Sequence, residues 1–295
     1  MSTRPTPPRR FVAACIQFEV RRGDVARNLA EAEAGLRAAA GAGAKLAVLP
    51  EAWTTSLLPR YTAADVAASL SADARVVELS RELDMVIVGG GIEAEGNRIY
   101  NRAQIVERGE VRGTYRKIHL FTPNAEHKAM RHGKTPLVAD TFLGRIGVVI
   151  CYDLRFPELV RWYFDQEIEI LAVPAQWPDA RAEHWRTLTR ARAIENEVFV
   201  IGCNRCGPDV SAKNGDPLLF PGDSRIIDPM GEILAAGAGE SAPILAEIEP
   251  RRVRMMRRVL PVAKDRRPDV YKKIWQAPWW ISHGGFEART PPEQG

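Results

Sequence analysis

The sequence predicts an α/β fold in which helices pack outside buried β-strands. Strand-like apolar runs alternate with helix-like amphipathic segments along the whole 295-residue chain, the order expected for repeated strand–helix units. Several of these runs, such as residues 147–150, also lack polar alternation, which is typical of strands covered on both faces in parallel sheets. The chain shows neither an internal repeat nor a linker-like change in composition, so one large domain is expected.

The first half of the chain is predicted to contain strand–helix pairs followed by a hairpin. Asp24 is typical of a helix N-cap, and apolar residues at helical spacing follow it as far as Gly41, a residue that commonly ends helices. A turn at residues 108–110 is expected to join two short strands. In order, the predicted elements are a strand at 11–18, a helix after Asp24, a strand at 45–49, a helix at about 63–83, a strand at 85–88 and strands at 99–107 and 111–115.

The second half continues the alternation after a long polar stretch at residues 122–134. Pro157 marks the start of a helix behind Cys151, because proline is favoured in the first helical turn. In order, the predicted elements are strands at 136–142 and 145–150, the helix at Pro157, a strand at 169–173, a helix at about 181–196, a strand at 198–203 and a late hairpin of strands at 224–228 and 232–234.

Composition argues against several classes of protein. A net charge of +4 with 26% charged residues gives no indication of nucleic-acid binding, and the basic run at residues 251–258 is interpreted as a solvated or salt-bridged face. Four cysteines imply no disulfide framework and fit a reducing cytoplasm. No segment approaches the roughly 18 apolar residues of a membrane span, and residues 1–10 lack the apolar core of a secretory signal. We therefore expect a cytoplasmic protein without a nucleic-acid or membrane partner.

Three reactive residues are predicted to lie at strand ends, where open α/β sheets place their catalytic groups. Cys151 follows an apolar strand and offers a nucleophilic thiol, which requires a nearby base. Glu51 follows the strand at 45–49, where partial desolvation would raise its pKa and make it a better proton carrier. Lys117 follows the strand at 111–115, where its cation is expected to lower the pKa of Cys151 and to stabilise an oxyanion.

The segments around these residues resemble those of a known family. In order and spacing they are similar to the three signature segments of the nitrilase superfamily of carbon–nitrogen hydrolases: residues 49–51, 115–121 and 151–158. The resemblance implies a four-layer α-β-β-α sandwich and a catalytic triad of Glu51, Lys117 and Cys151 that uses no metal or cofactor. It also implies a second catalytic glutamate, Glu126, which is expected to orient the substrate amide and Glu51.

Further segments resemble the ω-amidase branch of this superfamily: residues 174–178, 184–185, 191–196, 202–205 and 265–271. Members of that branch hydrolyse the terminal amide of 2-oxoglutaramate or 2-oxosuccinamate. The resemblance therefore implies an amidohydrolase that releases ammonia through a thioester on Cys151. One departure is Glu197, where the branch commonly carries glutamine; it is expected to affect an interface or the pocket edge but no triad member.

Substrate binding is predicted to involve four further residues. The backbone N–H of Tyr152 is expected to hold the oxyanion of the tetrahedral intermediate together with Lys117. A 2-oxo acid also requires a cation for its carboxylate. Arg155 and Arg205 are the candidates, with a structural role as the favoured alternative for each. Trp177 is a candidate pocket wall, with core packing as the alternative.

Other functions stay open at this point. An N-carbamoyl amine or amino-acid amidohydrolase and a nitrilase are alternatives within the superfamily, whereas a non-catalytic scaffold is disfavoured because every triad position is filled. Zinc binding by Cys203 and Cys206 is disfavoured because zinc needs about four ligands. A thioredoxin-like role is disfavoured because such a pair opens a helix. Residues 89–91 lack the spacing of a dinucleotide-binding loop.

The domain organisation is predicted from the same patterns. Residues 1–10 are expected to form a flexible N-terminus, residues 11–250 the carbon–nitrogen hydrolase domain, and residues 251–295 a C-terminal arm. Family resemblance suggests a homodimer or larger homo-oligomer, with the helix after Cys151 and the arm as interface elements. The expected partners are a small amide substrate, water and further copies of the chain.

Overall fold

Two β-sheets lie face to face between two helical layers in the computed structural model, which describes residues 7–276. The strands are β1 (Phe11–Gln17), β2 (Ala44–Val48), β3 (Val86–Gly89), β4 (Ile92–Glu95), β5 (Arg98–Glu107), β6 (Glu110–Arg116), β7 (Leu137–Thr141), β8 (Gly144–Val148), β9 (Ile170–Ala175), β10 (Phe199–Asn204), β11 (Cys206–Val210), β12 (Pro217–Pro221), β13 (Arg225–Ile227), β14 (Ile233–Ala236) and β15 (Ala242–Ile248). The helices are α1 (Val25–Gly41), α2 (Ala63–Glu82), α3 (Glu126–Ala129), α4 (Pro157–Asp165), α5 (Ala182–Asn196), α6 (Arg251–Val259), α7 (Val262–Asp265) and α8 (Pro268–Gln276).

The parallel strands of the two sheets end at a common edge. The first sheet has the order β15-β1-β2-β3-β5, with β4 and β6 also paired to β5, and β1, β2 and β3 are parallel. The second has the order β14-β13-β10-β9-β8-β7, and β8, β9 and β10 are parallel. The backbone N–H of Glu51, just after β2, donates to the carbonyl oxygen of Ala175 at the end of β9 (3.4 Å). The loops that follow the parallel strands of both sheets therefore meet.

Two apolar clusters hold the layers together. One lies between the sheets and contains Leu46 of β2 and Val148 of β8, and it continues to α4 and α5 on the outer face of the second sheet. The other contains Ala47 of β2 with Leu36 of α1 and Val76 of α2. Because successive strand residues point to opposite faces, a strand covered on both faces needs apolar residues at every position. The predicted α-β-β-α sandwich is thus confirmed, together with the reason for the missing polar alternation.

Local signals act as expected at several element boundaries. The Asp24 carboxylate caps α1 by accepting a hydrogen bond from the backbone N–H of Arg27 (3.1 Å), and α1 ends at Gly41. Residues 108–110 turn β5 back onto β6. Pro157 is the first residue of α4, as predicted.

Other elements differ from the prediction. Strands β4 and β15 and the two-stranded hairpin of β11 and β12 are absent from the predicted elements. Pro208 and Pro217 argue against strands in that hairpin, but both of its strands are edges, where proline is tolerated. Strand β8 ends at Val148 rather than at Ile150, and Cys151 begins a turn of 3₁₀ helix. The thiol therefore lies on a turn and not on the strand itself.

A run of glycines joins β3 to β4, which pair with β5 in one continuous register. A Cβ atom at Gly90 would overlap the carbonyl oxygen of Arg102, and one at Gly91 would overlap the hydroxyls of Thr54 and Ser69. Close packing, rather than a nucleotide-binding loop, accounts for this run.

The described residues divide into two compact units, with the boundary between Met256 and Arg257. The sandwich belongs to the first unit, and α7 and α8 belong to the second. The predicted interface role of residues 251–295 stays a prediction, and residues 1–6 and 277–295 lie outside the described part. Within residues 7–276, no helix combines the length and the apolar character that crossing a bilayer requires.

Candidate active site

The four side chains predicted to be catalytic meet at the common edge of the sheets. Glu51 follows β2, Lys117 follows β6, Cys151 follows β8, and Glu126 is the first residue of α3. The Nζ atom of Lys117 lies 2.6 Å from Oε1 of Glu51 and 2.8 Å from Oε2 of Glu126. The Cys151 thiol interacts with the Glu51 carboxylate. All four residues are buried, so their charges interact with little screening by water.

Burial governs the protonation of this cluster. It raises the pKa of Cys151 well above its ordinary value; the charge of Glu51 adds to this rise and Lys117 opposes it. Burial also raises the pKa of Glu51, against the opposing charge of Lys117. For Lys117 burial favours the neutral form, but the charges of Glu126 and Glu51 outweigh it and raise the pKa well above its ordinary value. At rest the lysine is charged and the thiol is protonated. Lys117 thus lowers the pKa of Cys151 as expected, but burial and the charge of Glu51 outweigh its effect.

The backbone at Cys151 is held in an unusual conformation by Asp153. Cys151 has φ = +47°, in the left-handed region that non-glycine residues rarely adopt. Asp153 is fully buried, and its carboxylate accepts hydrogen bonds from the backbone N–H of Ile150 (3.0 Å) and of His119 (2.8 Å) and from the hydroxyl of Tyr115 (2.7 Å). These contacts tie the turn that carries the thiol to the segment that carries Lys117.

Replacement of Asp153 by alanine is expected to lower the free energy of unfolding by about 2–4 kcal/mol, because it leaves several buried donors without an acceptor. The relaxed turn is also expected to slow alkylation of Cys151 by iodoacetamide. Urea denaturation and alkylation rates measure the two effects, with Asp216→Ala in an exposed loop as the control. Wild-type alkylation by a folded Asp153→Ala protein would contradict the assigned role.

Cys151 lies where two cavities meet. A cavity of about 150 Å³ is lined by Cys151, Glu51 and Lys117 and, on another side, by Phe220 of the hairpin β11–β12. A much smaller cavity adjoins it, and Arg181 lines both. The hairpin that supplies part of this wall is one of the elements that sequence reasoning missed.

Three of the predicted substrate-binding residues line the smaller cavity: Tyr152, Arg155 and Trp177. Trp177 is buried with its ring centroid 5.6 Å from that of Trp185, so it serves both as a cavity wall and as part of the core. The Arg155 guanidinium lies 4.8 Å from the centroid of the Trp177 ring, and its Nη2 is 2.9 Å from Nδ1 of His184. Arg155 is thus held beside the cavity.

Arg205 lies elsewhere, which favours its structural alternative over the candidate role as a ligand of the substrate carboxylate. Its side chain is fully buried and lines neither cavity. The guanidinium donates to the hydroxyl of Ser56 (3.0 Å), to the Asp209 carboxylate and to the carbonyl oxygen of Val20. It also reaches Oε1 of Gln176 (3.3 Å). Arg205 therefore supports the cavity wall from behind, since its donors are directed into the protein.

Arg181 is a cation that sequence reasoning missed. It follows β9 in the segment before α5, and its guanidinium lies 5.5 Å from the centroid of the Phe121 ring. Among residues 7–276, no carboxylate lies within ion-pair distance of it. A cation shortly after a strand end is the signal that could have identified it, by the same rule that located Glu51.

Gln176 was also missed, although it directly follows β9. Its backbone N–H donates to Oε2 of Glu51 (3.0 Å), and its side-chain Nε2 donates to the Glu51 carbonyl oxygen (2.7 Å). Its own carbonyl oxygen accepts from the Cys151 thiol (3.7 Å). Gln176 therefore fixes the carboxylate and the thiol relative to each other.

This fold and this site define a hydrolase of carbon–nitrogen bonds, and the chain belongs to the carbon–nitrogen hydrolase family, whose model matches residues 12–258. It is an enzyme that acts on linear amides. The chloroplastic omega-amidase of Arabidopsis thaliana is 34% identical over 288 residues, covering 92% of this chain and 76% of the relative. The 2-oxoglutaramate amidase of Bacillus subtilis is 33% identical over 273 residues, covering 89% of this chain and 100% of the relative.

Solved structures show the same fold. A carbon–nitrogen hydrolase from Helicobacter pylori superposes with a TM-score of 0.83 at 24% identity, covering 91% of this chain and 99% of that one. XC1258 from Xanthomonas campestris, a member of the superfamily with an arsenic adduct in its active site, superposes with a TM-score of 0.76 at 28% identity, covering 88% of this chain and 97% of that one.

Proposed function

We propose that the protein is an ω-amidase that releases ammonia from the terminal amide of a short 2-oxo acid, 2-oxoglutaramate or 2-oxosuccinamate. The observation that carries the proposal is one small cavity that brings the Cys151 thiol, the Glu51 carboxylate and the Lys117 ammonium together with Arg181. The names of the Arabidopsis and Bacillus relatives support the same substrate class.

In the first half of the reaction, Cys151 attacks the amide carbon while its proton passes to Glu51. A base is needed because burial raises the pKa of the thiol and keeps it protonated at rest. As the carbon–sulfur bond forms, the carbonyl electron pair moves to oxygen, which accepts hydrogen bonds from Lys117 Nζ and the backbone N–H of Tyr152. Glu51 then gives its proton to the leaving nitrogen, the carbon–nitrogen bond breaks, and ammonia departs from a thioester.

The second half removes the acyl group. Water attacks the thioester carbon as Glu51 takes its proton, and a second oxyanion forms at Lys117. The carbon–sulfur bond then breaks, and the proton held by Glu51 returns to the sulfur of Cys151. The products are the dicarboxylic 2-oxo acid and free enzyme, so no cofactor is consumed.

Glu126 is proposed to act through Lys117 and not on the substrate directly. It does not line the cavity, whereas its Oε2 lies 2.8 Å from Lys117 Nζ and accepts from the backbone N–H of Phe121 (2.6 Å). We therefore propose that Glu126 holds the Lys117 ammonium in place, instead of contacting the amide nitrogen as the sequence analysis expected.

Arg181 is proposed to bind the substrate carboxylate. Its guanidinium is free of ion pairs within the described residues and lines both cavities at Cys151, whereas Arg22 in the same wall is paired with Asp209 (2.8 Å). A planar guanidinium can bind a carboxylate through two parallel hydrogen bonds. Arg155, at the smaller cavity, is the second candidate.

The Arg181→Met variant is expected to lower kcat/KM for 2-oxoglutaramate by about 10- to 100-fold, because it removes charge-assisted hydrogen bonds. Turnover of propionamide, which has no carboxylate, is expected to change by less than about threefold. Ammonia release measures both, with Arg27→Met on the exposed face of α1 as the control. An equal loss on the acidic and the neutral amide would exclude Arg181 as the anchor, and a selective loss in Arg155→Met would assign the role to Arg155.

The activity itself is tested by ammonia release from a panel of ω-amides, N-carbamoyl amino acids and nitriles. We expect the highest kcat/KM for a 2-oxo acid ω-amide. A clear preference for carbamoyl compounds or nitriles would support the alternative activities instead. No ammonia from any compound, with folded protein, would support a scaffold.

A further inference from the structure

The catalytic cluster, formed by Glu51, Lys117, Glu126 and Cys151, contains two buried carboxyl groups but only one buried amine. Glu51 and Glu126 both contact Lys117, so one ammonium faces two carboxylates. Removal of carboxylates from water is costly unless hydrogen bonds replace the lost hydration. The cluster therefore needs further donors, and they must not bring a second charge that would compete with Lys117.

Asn101 supplies such donors. It lies on β5 and is 1% exposed. Its Nδ2 atom is 2.8 Å from Oε1 of Glu51 and 3.1 Å from Oε1 of Glu126. A side-chain amide carries two N–H groups, so each carboxylate can accept one of them. The opposite orientation would place the amide oxygen against two carboxylates, both of which are acceptors, so chemistry determines which atom faces them.

The main chain of Asn101 contacts the cluster as well. The backbone N–H of Lys117 donates to the Asn101 carbonyl oxygen (2.9 Å), and Asn101 itself is paired with Ile92 across β4 and β5. Asn101 lines neither cavity. It thus contacts both carboxylates and the lysine from the protein side and has no direct access to a substrate.

We propose that Asn101 is a positioning residue of the amidase: its side-chain amide ties Glu51 to Glu126 and holds both carboxylates on Lys117, with Glu51 ready to take the Cys151 proton. The inference rests on the proposed function only in that Glu51 acts as the base toward Cys151. Because Asn101 acts through Glu51, its loss is expected to affect kcat and its pH dependence far more than KM.

The Asn101→Asp variant has nearly the same shape but loses both donors and adds an acid. Hydrogen bonds to a carboxylate favour its ionised form. Burial already raises the pKa of Glu51, and the loss of these hydrogen bonds should raise it further. We expect kcat to fall by about 30- to 100-fold. The acid limb of the kcat/KM profile should move upward by about one pH unit, because a protonated Glu51 cannot accept the thiol proton.

The matched control is Gln104→Glu, the same amide-to-acid change on the same strand. Gln104 is three residues further along β5, so its side chain points to the opposite face. We expect its acid limb to coincide with that of the wild type. Asn101→Ser, which keeps one shorter donor, should give a smaller shift and remains informative if the aspartate variant does not fold.

Alkylation of Cys151 by iodoacetamide as a function of pH provides a measurement that needs no substrate. The proposal is supported if the acid limb moves upward in Asn101→Asp and moves about half as far in Asn101→Ser. In Gln104→Glu the acid limb should not move. A folded Asn101→Asp or Asn101→Ser protein with the wild-type alkylation profile overturns it. If the shift is present but the wild type hydrolyses no ω-amide, the ω-amidase function fails while the role of Asn101 stands.

Discussion

Replacement of Cys151 by alanine is expected to lower the rate of ammonia release by about five orders of magnitude, the scale of loss seen when a catalytic nucleophile is removed. The reason is that the remaining groups can bind and polarise the amide but cannot form the thioester. Stopped assays with 2-oxoglutaramate over long incubations measure the residual rate. The fold should persist, because the thiol contributes only a weak hydrogen bond to the carbonyl oxygen of Gln176 and its interaction with the Glu51 carboxylate.

The other cysteines provide the controls for this experiment. Cys206 is buried at the start of β11, outside the catalytic cluster, and Cys206→Ala should retain the wild-type rate within about twofold. Mass spectrometry after iodoacetamide treatment should find the label on Cys151 in the wild type and no such label in Cys151→Ala. A folded Cys151→Ala protein that releases ammonia at even one-tenth of the wild-type rate would exclude the thioester mechanism.

Replacement of Lys117 by methionine is expected to lower both activity and stability. The oxyanion loses a charged donor, which typically costs about 100- to 1,000-fold in kcat. The carboxylates of Glu51 and Glu126 lose the cation that both of them contact, and breaking such a buried pair typically costs about 3–5 kcal/mol of unfolding free energy. Ammonia release and urea denaturation measure these two effects.

The loss of stability should depend on pH in a defined direction. Burial already raises the pKa of Glu51, and removal of Lys117 removes the charge that opposes this rise. A carboxyl whose pKa is higher in the folded state binds more protons there than in the unfolded chain, so stability falls as pH rises through that interval. We therefore expect the Lys117→Met protein to be more strongly destabilised at pH 8 than at pH 5.

Two further variants separate charge from packing. Lys117→Met combined with Glu126→Gln should recover part of the stability, since one buried carboxylate is neutralised, but it should not recover the activity. Lys45→Met removes an exposed lysine that is paired with Asp84 (2.8 Å) and should cost no more than about 1 kcal/mol. Equal destabilisation of Lys117→Met at both pH values would contradict the electrostatic explanation.

The sequence was sufficient to place Glu51, Lys117 and Cys151 at strand ends because each of them follows a strand-like run. Apolar runs reveal where strands end, so Glu51 and Cys151 could be placed at the sheet edge from local pattern alone. Glu126 is a different case, because it lies in a polar stretch and begins a helix of only four residues. No periodic signal marks such a short element, and only the family resemblance identified it.

The residues that the sequence analysis missed are those whose partners are distant in the chain. Asn101 is separated from Glu51 by 50 positions, and Gln176 from Glu51 by 125. Neither has a local pattern that distinguishes it from other amides on strands or at strand ends. Arg205 is the opposite case. It follows a strand and was a candidate ligand, but its side chain is buried in the protein.

The sequence by itself determined the class of the protein, its layered fold and the identities of the thiol, the carboxylates and the lysine. These features depend on apolar periodicity and on short signature segments, both of which are local. Only the tertiary structure decided which cations line the cavities at Cys151 and how the thiol is protonated at rest. The physical reason is that a pKa and an accessible charge depend on burial and on distances between groups far apart in the chain.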